Sequence, residues 1–369
     1  MTMHISLRPS QAWDRGLFLA ALGLALMGGV AVASASATLN PMLAFRHGIW
    51  VAIGIVTSLW IARTNYRNWT DIAWLAYGLS IVLLALVPVA GAARLGATRW
   101  LSIFGLSIQP SEFGKLTTVW LLARYLAGAG SPLPRRALWM SLIIVGPPAL
   151  LVFLQPDLGS ASIFCAIWLG MIWVAGASRR TLGTLAGCLV ALLPLAWHLL
   201  KGYQRDRLLA FLDPSADPLG VGYTMIQSTI AIGAGGLWGR GWLAGTQNRL
   251  SFLPERHSDF IFSVIGEERG MLGCFGVLGL FGLLLARTAR LAMTSSDPQG
   301  RLLAAGIFSW LAYQACVNMG MVMGLLPVVG VPLPLVSYGG SSMVAVWIAL
   351  GLLQSLHRAE RSDATARNF

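Results

Sequence analysis

Charged side chains are scarce in this chain. Of its 369 residues, only 11% are Asp, Glu, Lys or Arg, whereas 56% are hydrophobic. Soluble domains carry about 25% charged residues, so the composition excludes an ordinary soluble protein and predicts an integral membrane protein. Acids are the rarer sign, with 14 against 26 bases, which gives a net charge of +12.

Cysteine is also sparse, and its four copies stand singly within apolar sequence: Cys165, Cys188, Cys274 and Cys316. They lack the paired spacing of a metal site or a disulfide framework, and we interpret them as packing residues. The basic excess follows no single stripe, which disfavours nucleic-acid binding. Most arginines fall in short connections, where anionic lipid headgroups are the more economical partner.

Long apolar runs make up most of the chain. A transmembrane helix needs about 20 mostly apolar residues, and on this basis we predict about ten of them. The predicted fold is an all-α integral membrane protein, with one polytopic domain over residues 1–369. The predicted segments are 16–37, 45–62, 72–90, 113–126, 138–153, 161–174, 181–200, 261–286, 306–323 and 341–356.

The arginines also orient the predicted helices. With the amino terminus in the cytoplasm, most arginines lie on the inner side, and the short outer connections hold little beyond Arg46, Arg94 and Arg99. This asymmetry is the one that the positive-inside rule requires. We therefore expect both termini to be cytoplasmic.

Four stretches on the outer side break the apolar pattern. The first, residues 96–116, reads GATRWLSIFGLSIQPSEFGKL and suggests an amphipathic outer loop with Trp100 as an aromatic anchor. Glu112 and Lys115 lie three residues apart, where one helical turn brings them together as an ion pair. The sequence leaves a structural pair and a functional pair open.

The second stretch is FLQPDLGSA, residues 153–161, where a proline ends one predicted helix. Asp157 then stands at the start of the next helix. An aspartate there is favoured as an N-cap by the helix dipole, so we give capping the larger share of its role.

The third stretch is the long outer loop, residues 201–258. Connections of this length without structure are uncommon and tend to be functional. Its part 222–242, GYTMIQSTIAIGAGGLWGRGW, has apolar residues at helical spacing and predicts an amphipathic helix at the outer interface. Arg240 and Arg256 follow this helix as cationic candidates for substrate binding.

The fourth stretch, residues 318–342, contains three prolines that interrupt the helical pattern between the ninth and tenth segments. Backbone groups freed by proline cannot face lipid, so this segment must be buried in protein or line a watered cavity. Ser337 and Tyr338 lie at the opening of the tenth helix, whose positive end suits an anion. A merely broken helix is the alternative interpretation.

Asp259 is the acid best placed for catalysis. It lies in FLPERHSDFIFSVIGEERG, residues 252–270, directly before apolar residues whose desolvating effect would raise the pKa of a carboxylate toward that of a useful base. It is also well placed to be the N-cap of the eighth helix, and spacing does not separate the two roles. Glu267 and Glu268 lie further along, and a charged helix end at the interface is the alternative interpretation for them.

The order and wording of these motifs resemble the SEDS family, the shape, elongation, division and sporulation proteins. The resemblance rests on GATRWLSIFGLSIQPSEFGK, FLQPDLGSA, PLPLVSYGGSS and the continuous stretch from GYTMIQSTIAIG to GEERG, and it covers about 16–354. GTQNRLSFLPE and PERHSDF are most similar to the elongation branch, which makes a division-type polymerase the alternative.

The resemblance implies ten transmembrane helices and a peptidoglycan glycosyltransferase in the bacterial cytoplasmic membrane. Such an enzyme polymerises lipid II at the outer face, with a class B penicillin-binding protein as the transpeptidase partner. The essential aspartate of the family falls on Asp259, which leaves Glu267 and Glu268 as expected supports for the site. Its outer-pocket positions fall on Trp100, Glu112, Lys115 and Asp157.

The implied reaction joins a sugar hydroxyl to the anomeric carbon of a glycan held on a lipid pyrophosphate. It needs a base, assigned to Asp259, and positive charge for the departing pyrophosphate. That charge comes from basic side chains or from a divalent ion such as Mg²⁺ or Mn²⁺. The basic candidates are Lys115, Arg205, Arg207, Arg240 and Arg256.

Two rival functions belong to other classes. A lipid II flippase would require alternating access with repeated halves and a site at the membrane midplane, whereas the charges here gather at one face. A scaffold that only recruits the penicillin-binding protein would leave Asp259 replaceable.

Overall fold

The computed structural model describes residues 13–367, apart from 39, 95–96, 104–105, 201, 219, 221 and 251. Over this range the chain is mostly helical. Its elements are α1 Arg15–Ser36, α2 Met42–Arg63, α3 Tyr66–Asp71, α4 Ala73–Ala90, β1 Ala92–Arg94, β2 Ala97–Ile103, β3 Leu106–Ile108, α5 Pro110–Ala127, α6 Arg135–Leu154, α7 Leu158–Val174, α8 Arg179–Leu199, α9 Gly202–Leu212, α10 Tyr223–Gly235, α11 Thr246–Arg249, α12 Ile261–Thr294, α13 Pro298–Val322 and α14 Gly340–Arg367.

Each of the ten predicted membrane segments coincides with one helix: α1, α2, α4, α5, α6, α7, α8, α12, α13 and α14. Within the described chain, seven helices are both long and apolar enough to cross a membrane, and α7 is a shorter apolar helix of 17 residues. The predicted all-α membrane fold is confirmed.

Several of the scarce acids start helices. Asp14, Asp157 and Asp297 each accept the backbone amide three residues further on, at 3.0, 3.1 and 3.2 Å, at the starts of α1, α7 and α13. These bonds satisfy amides that have no partner within the helix. The capping role predicted for Asp157 is confirmed.

The helices form a bundle in which some helices are central and others peripheral. In α13 and α14, 72% and 78% of the most apolar window is buried, against 17% in α2. α2 packs along α14, α12 packs between α1 and α13, and α5 and α7 pack against α13. The core is therefore made by α5, α7, α13 and α14, while α2, α4 and α12 present apolar faces outward.

The bundle has two distinct ends. One end, which we call the site end, carries β1–β3, α9–α11 and the segment 323–339. The other, the termini end, carries the start of α1 and the end of α14. It also carries α3, between α2 and α4, and the short connections from α5 to α6, from α7 to α8 and from α12 to α13. Because successive long helices alternate in direction, Asp259 lies at the site end, as topology from the sequence predicts.

A small antiparallel sheet of order β1-β2-β3 fills the connection between α4 and α5. Leu101 pairs with Ile108 across β2 and β3. The sequence predicted an amphipathic outer loop here and no strands. The alternation of large apolar with small polar residues is the period of a strand, but each strand is so short that the pattern alone did not show pairing.

The predicted amphipathic helix is present as α10, but it docks on the bundle instead of lying free at the interface. Its buried residues include Met225, Ser228 and Ala231, and the Ser228 hydroxyl donates to the Val322 carbonyl at 2.6 Å. Ile230, one of the apolar residues behind the prediction, is 45% exposed. Small residues, not the large apolar ones, let α10 approach α12 closely.

A kink interrupts α12 at Gly270, where φ is +64° and ψ is −161°. A side chain there would be strained, and its Cβ would lie 2.4 Å from the Gly239 nitrogen. The turn after α10 crosses α12 at this point, and the Arg240 amide donates to the Glu267 carbonyl at 2.9 Å. The kink thus ties the long loop to α12.

The predicted proline-broken segment is confirmed between α13 and α14. Residues 323–339 are non-helical, and Val331, Leu333 and Val336 within them are buried. The part from Val331 to Ser337 is therefore largely enclosed by protein, which suits backbone that lipid cannot hydrogen-bond, whereas Leu325 and Leu326 before it are exposed.

Candidate active site

Asp259 is held by a tight turn just before α12. The Glu255 carbonyl accepts the amides of Ser258, Asp259 and Phe260, at 3.1, 3.1 and 3.4 Å. The N-cap residue of α12 is Phe260, and no side chain caps that helix start. The Asp259 side chain is therefore not a helix cap, and its role as the catalytic base stays a prediction.

The Asp259 carboxylate has no hydrogen-bond or ion-pair partner among the described residues. It is half-buried. Burial, with the negative charges of Glu255 and Asp157, raises the pKa of Asp259 to about 7, while the positive charges of Arg207 and Arg99 act in the opposite direction. A carboxylate with this pKa is poised to accept a proton near neutral pH.

Two guanidinium groups lie within electrostatic reach of Asp259. Arg99 Nη1 is 3.9 Å from Asp157 Oδ1, and Arg99 also donates to the Pro156 carbonyl. Arg207, from α9, donates to the Val328 carbonyl at 3.5 Å. The sheet, the start of α7 and the long loop thus converge on the half-buried acid.

The proline-broken segment forms one wall of this site through Asn318 on α13. Its Nδ2 donates to the Asp259 carbonyl at 2.8 Å and to the Val331 carbonyl at 2.6 Å. Asn318 is fully buried. One amide therefore fixes the turn that carries the acid against the segment beside it.

Gly330 leaves the space next to the acid open. A Cβ on Gly330 would lie 3.3 Å from Asp259 Oδ2, and Gly330 has a φ of +69°, where side chains are strained. Glycine at this position therefore keeps one face of the carboxylate accessible.

Ser337 and Tyr338 bind the same turn from the start of α14. The Ser337 hydroxyl donates to the Ser258 carbonyl at 2.6 Å, and the Tyr338 amide donates to the His257 carbonyl at 2.9 Å. The Tyr338 ring also lies 5.6 Å from the His257 ring, centroid to centroid. Both residues position the turn, and their predicted contact with substrate stays a prediction.

Glu112 and Lys115 form the ion pair that their spacing suggests, at 2.8 Å and fully buried. Lys115 Nζ also donates to Gln314 Oε1 at 3.1 Å and lies 5.1 Å from the Trp310 ring. Gln314 in turn donates to the Pro332 carbonyl at 2.8 Å. This placement supports the structural interpretation of the pair.

Glu112 still has an unused oxygen. Its Oε2 is buried and has no hydrogen-bond partner in the described chain. This oxygen can still accept a hydrogen bond from a substrate. Direct contact of Glu112 or Lys115 with substrate stays a prediction.

Arg256 is only 1% exposed. Its guanidinium donates to the Ala35 carbonyl at 2.9 Å, to Thr38 Oγ1 at 2.6 Å and to the Asn248 carbonyl. These contacts join the end of α1 to α11. They indicate a positioning role and give no support to the prediction that Arg256 binds substrate.

Arg240 is exposed at the turn after α10. It donates to the Ala234 carbonyl at 3.2 Å and to Thr246 Oγ1 at 2.9 Å. Trp100 is half-buried on β2, next in sequence to Arg99. The substrate contacts predicted for Arg240 and Trp100 stay predictions.

Glu267 and Glu268 hold the long loop, which matches the supporting role expected from the sequence. Glu267 accepts the Gln247 amide at 2.9 Å and the Asn248 amide at 3.3 Å at the start of α11. Glu268 accepts from the Ser34 hydroxyl and from Asn248 Nδ2. Arg269 is exposed and, in the described chain, neutralises neither acid.

Two cavities lie elsewhere in the bundle. One of about 490 Å³ lies between α1 and α12, and one of about 400 Å³ lies at the termini end between α4, α5 and α6. Neither is lined by Asp259, so the site is located by its charges rather than by a cavity. The described residues include no cluster of three or more His, Cys, Asp or Glu that could hold a metal.

Four residues of the site were not predicted as such: Arg99, Asn318, Gln314 and Gly330. Arg99 was assigned only to an outer connection, although it adjoins Trp100. The two amides lie four residues apart on α13, one helical turn, and this polar spacing within an apolar helix was the available signal. Nothing in the sequence distinguishes Gly330 from the other glycines.

The fold and the site together define a class of protein. It is a polytopic helical membrane protein in which one aspartate at an end of the bundle is half-buried and lies near two arginines. In the part of the chain that the structure describes, the carboxylate of this aspartate has no hydrogen-bond or ion-pair partner. The chain belongs to the FtsW/RodA/SpoVE family, whose model, described as a cell cycle protein, matches residues 14–362.

Similar proteins cover almost the whole chain. The peptidoglycan glycosyltransferase MrdB of Escherichia coli K12 is 39% identical over 93% of each chain. A chain of a peptidoglycan synthase complex, described for its coordination of polymerization and crosslinking, superposes with a TM-score of 0.82 at 37% identity, covering 95% of this chain and 98% of that one. The rod shape determining protein RodA of Thermus thermophilus gives 0.71 at 32% identity with the same coverage.

Proposed function

We propose that this protein is a peptidoglycan glycosyltransferase that polymerises lipid II into glycan strands during cell elongation and the maintenance of rod shape. The observation that carries the proposal is the Asp259 carboxylate, which is half-buried, has no hydrogen-bond or ion-pair partner among the described residues and has a pKa of about 7. The similarity to MrdB and to RodA supports both the reaction and the elongation role.

In the proposed reaction, Asp259 takes the proton from the acceptor sugar hydroxyl. The hydroxyl oxygen then attacks the anomeric carbon of the donor glycan, and the bond from that carbon to the lipid pyrophosphate breaks with inversion. A positioned base of this kind contributes about 10²–10⁴-fold to a rate. The open face beside Gly330 gives the hydroxyl a path to the carboxylate.

Arg99 and Arg207 are the proposed partners of the leaving pyrophosphate. Both influence the charge of Asp259 from nearby elements, and arginine binds phosphate oxygens in a bidentate manner. A Mg²⁺ or Mn²⁺ ion carried by the pyrophosphate would add to this charge. Loss of activity with EDTA, restored by either ion, tests the metal requirement.

The site end is proposed to face the outer surface of the bacterial cytoplasmic membrane, with both termini in the cytoplasm. The arginine-rich termini end supports this orientation. Cysteines introduced by Asp213→Cys and Ser362→Cys in a background without the native cysteines test it. A membrane-impermeant maleimide should label the first in intact spheroplasts and the second only after lysis.

A class B penicillin-binding protein is the proposed partner. The likeness to a chain of a peptidoglycan synthase complex supports it, because that complex was described for coordinating polymerization with crosslinking. Co-purification of the two full-length proteins from membranes, and stimulation of glycan synthesis when the partner is added, test this assembly.

The decisive experiment supplies purified protein and partner with lipid II in detergent. Wild type should form glycan strands and Asp259→Ala should form none. Asp213→Ala, which removes an exposed acid from the loop between α9 and α10, should polymerise like wild type. Equal polymerisation by wild type and Asp259→Ala would refute the assignment of Asp259 as the base.

Two further outcomes identify the rival functions. Transport of labelled lipid II across vesicles without any polymerisation would favour a flippase. If the Asp259→Ala variant stimulates the activity of the partner as strongly as wild type does, a scaffold is favoured. Rescue of division in cells lacking the division enzyme, without rescue of rod shape in cells lacking the elongation enzyme, would reassign the chain to the division type.

A further inference from the structure

The cavity of about 400 Å³ at the termini end has the composition of a phosphate-binding pocket open to the membrane. It is lined by residues of α4, α5, α6 and the connection between α5 and α6. Those that matter here are Trp74, Arg124, Tyr125, Gly128 and Arg136. It lies at the opposite end of the bundle from Asp259 and plays no part in the proposed reaction.

Two guanidinium groups give the pocket its charge. Arg136 is exposed and has no hydrogen-bond or ion-pair partner among the described residues. Arg124 donates through Nη1 to the Thr70 carbonyl at 3.1 Å and to Asp71 at 2.5 Å. Asp71 is 66% exposed on its side chain, so this pair is screened by water and leaves the other guanidinium donors of Arg124 available.

The surroundings of the pocket match the lipid boundary of a membrane. Trp74 is 58% exposed at the start of α4, where tryptophan anchors helices at the headgroup level. From there, Leu75 and Leu79 on α4 and Ile143 on α6 continue as exposed apolar side chains toward the middle of the bundle. A ligand in the pocket therefore meets cations at one end and an apolar surface at the other.

We propose that this pocket binds an anionic glycerophospholipid, with its phosphate between Arg124 and Arg136 and its acyl chains along α4 and α6. Basic pockets between transmembrane helices bind anionic headgroups in this manner. The apolar surface favours a lipid over a free phosphate, and the aromatic side chain at the headgroup level favours it over a soluble anionic peptide.

The chain offers matched control variants. Arg135 adjoins Arg136 at the start of α6 and is equally exposed, but it does not line the pocket. Gly128 lines the pocket in an ordinary backbone conformation, and a Cβ there meets only the Tyr125 carbonyl at 3.7 Å. Gly279, exposed on α12, has no neighbour within 4 Å of an added Cβ and lies outside both the pocket and the surface proposed for the acyl chains.

The test uses delipidated full-length protein titrated with phosphatidylglycerol and measured by native mass spectrometry. Arg136→Gln should weaken binding of the first lipid roughly fivefold, the loss expected for one basic residue near a lipid headgroup. Gly128→Phe should fill the pocket and weaken binding at least as much. Arg135→Gln and Gly279→Phe should bind like wild type, and thermal melting checks that each variant is folded.

A competition experiment distinguishes a lipid headgroup from a free phosphate as the ligand of the pocket. Inorganic phosphate and glycerophosphoglycerol should not displace the lipid, whereas displacement by either at equal concentration would overturn the lipid assignment. Equal binding of phosphatidylglycerol and uncharged diacylglycerol would also overturn it. If Gly128→Phe does not fold, unchanged binding by Arg136→Gln is sufficient to refute the proposal.

Discussion

Two acids in one short stretch, residues 252–270, have opposite hydrogen-bonding environments. Asp259 has no hydrogen-bond partner among the described residues, and burial raises its pKa to about 7. Glu267, eight residues later, is fully buried and accepts two backbone amides and the Thr246 hydroxyl. Two carboxylates only eight residues apart therefore have different surroundings and different roles.

The difference follows from hydrogen-bond satisfaction. A carboxylate whose oxygens accept several donors serves as a fixed structural anchor, because its loss would leave those donors unsatisfied. A carboxylate that is desolvated without donors holds its proton more tightly and is ready to exchange it. In this protein the structural acid keeps the long loop in place, and the unsatisfied acid faces the site.

The largest expected effect is on Asp259 itself. Asp259→Asn keeps the shape of the side chain but removes the base, so the rate of glycan polymerisation should fall about 10²–10⁴-fold. Single-turnover assays with lipid II measure this loss. Arg269→Gln, a change at an exposed residue of the same stretch, should retain nearly full activity, and a similar loss there would remove the contrast between the two acids.

Glu267→Ala should act on stability. The change leaves the buried amides of Gln247 and Asn248 without an acceptor, at about 1–3 kcal/mol for each unsatisfied group, and the melting temperature should fall by several degrees. Differential scanning fluorimetry checks this in detergent. Glu255→Ala removes an exposed acid of the same stretch and should melt close to wild type. A melting temperature for Glu267→Ala equal to that of wild type would contradict the anchoring role.

Gly330→Ala should reduce activity about tenfold or more, because its Cβ would crowd Asp259 Oδ2 at 3.3 Å. Misplacement of a reacting group by about 1 Å can cost about 10²-fold. Gly324→Ala is the matched control: it has a φ of +73°, close to the +69° of Gly330, but its Cβ would meet Met225 and Thr229. Both variants should lose similar stability, and only Gly330→Ala should lose activity.

Polymerisation should depend on pH through Asp259. The base acts when deprotonated, and its pKa is about 7, so the rate should decline as pH falls below about 7 and level off above it. A pH profile of the single-turnover rate measures this. A flat profile from mildly acidic to mildly alkaline pH would show that Asp259 is not the titrating base.

The smallest effect is on stability as a function of pH. The folded pKa of Asp259, about 7, lies above its ordinary value of 3.8, so the folded state binds the proton more tightly than the unfolded state. Stability from this group is therefore greatest at low pH and is lost as pH rises to about 7. Asp259→Asn should melt progressively higher than wild type over that range, and a constant difference would contradict the shift.

Much of the fold could be predicted because lipid imposes strong rules on sequence. Apolar runs located all ten long helices, and the three prolines of residues 318–342 located the broken segment. The sheet at Trp100 and the docking of α10 were missed, because short strands and small contact residues such as Ser228 leave weak local signals.

The site could be predicted only in part. Asp259, Glu112, Lys115 and Asp157 were named from their positions, and the pairing of Glu112 with Lys115 followed from helical spacing. The burial of Arg256 against α1 was not foreseeable, because a charged residue in a loop gives no sign of which distant carbonyls it will meet.

The sequence by itself determined that this is a multi-pass membrane protein, which acids stand at one end, and which family it resembles. Lipid excludes unsatisfied backbone and charge, so composition and spacing alone carry that information. The tertiary structure decided which acid is left without donors. Asn318 takes the Asp259 carbonyl, Phe260 begins the helix, and the amides of α11 go to Glu267, so the chemistry of each acid depends on contacts between distant parts of the chain.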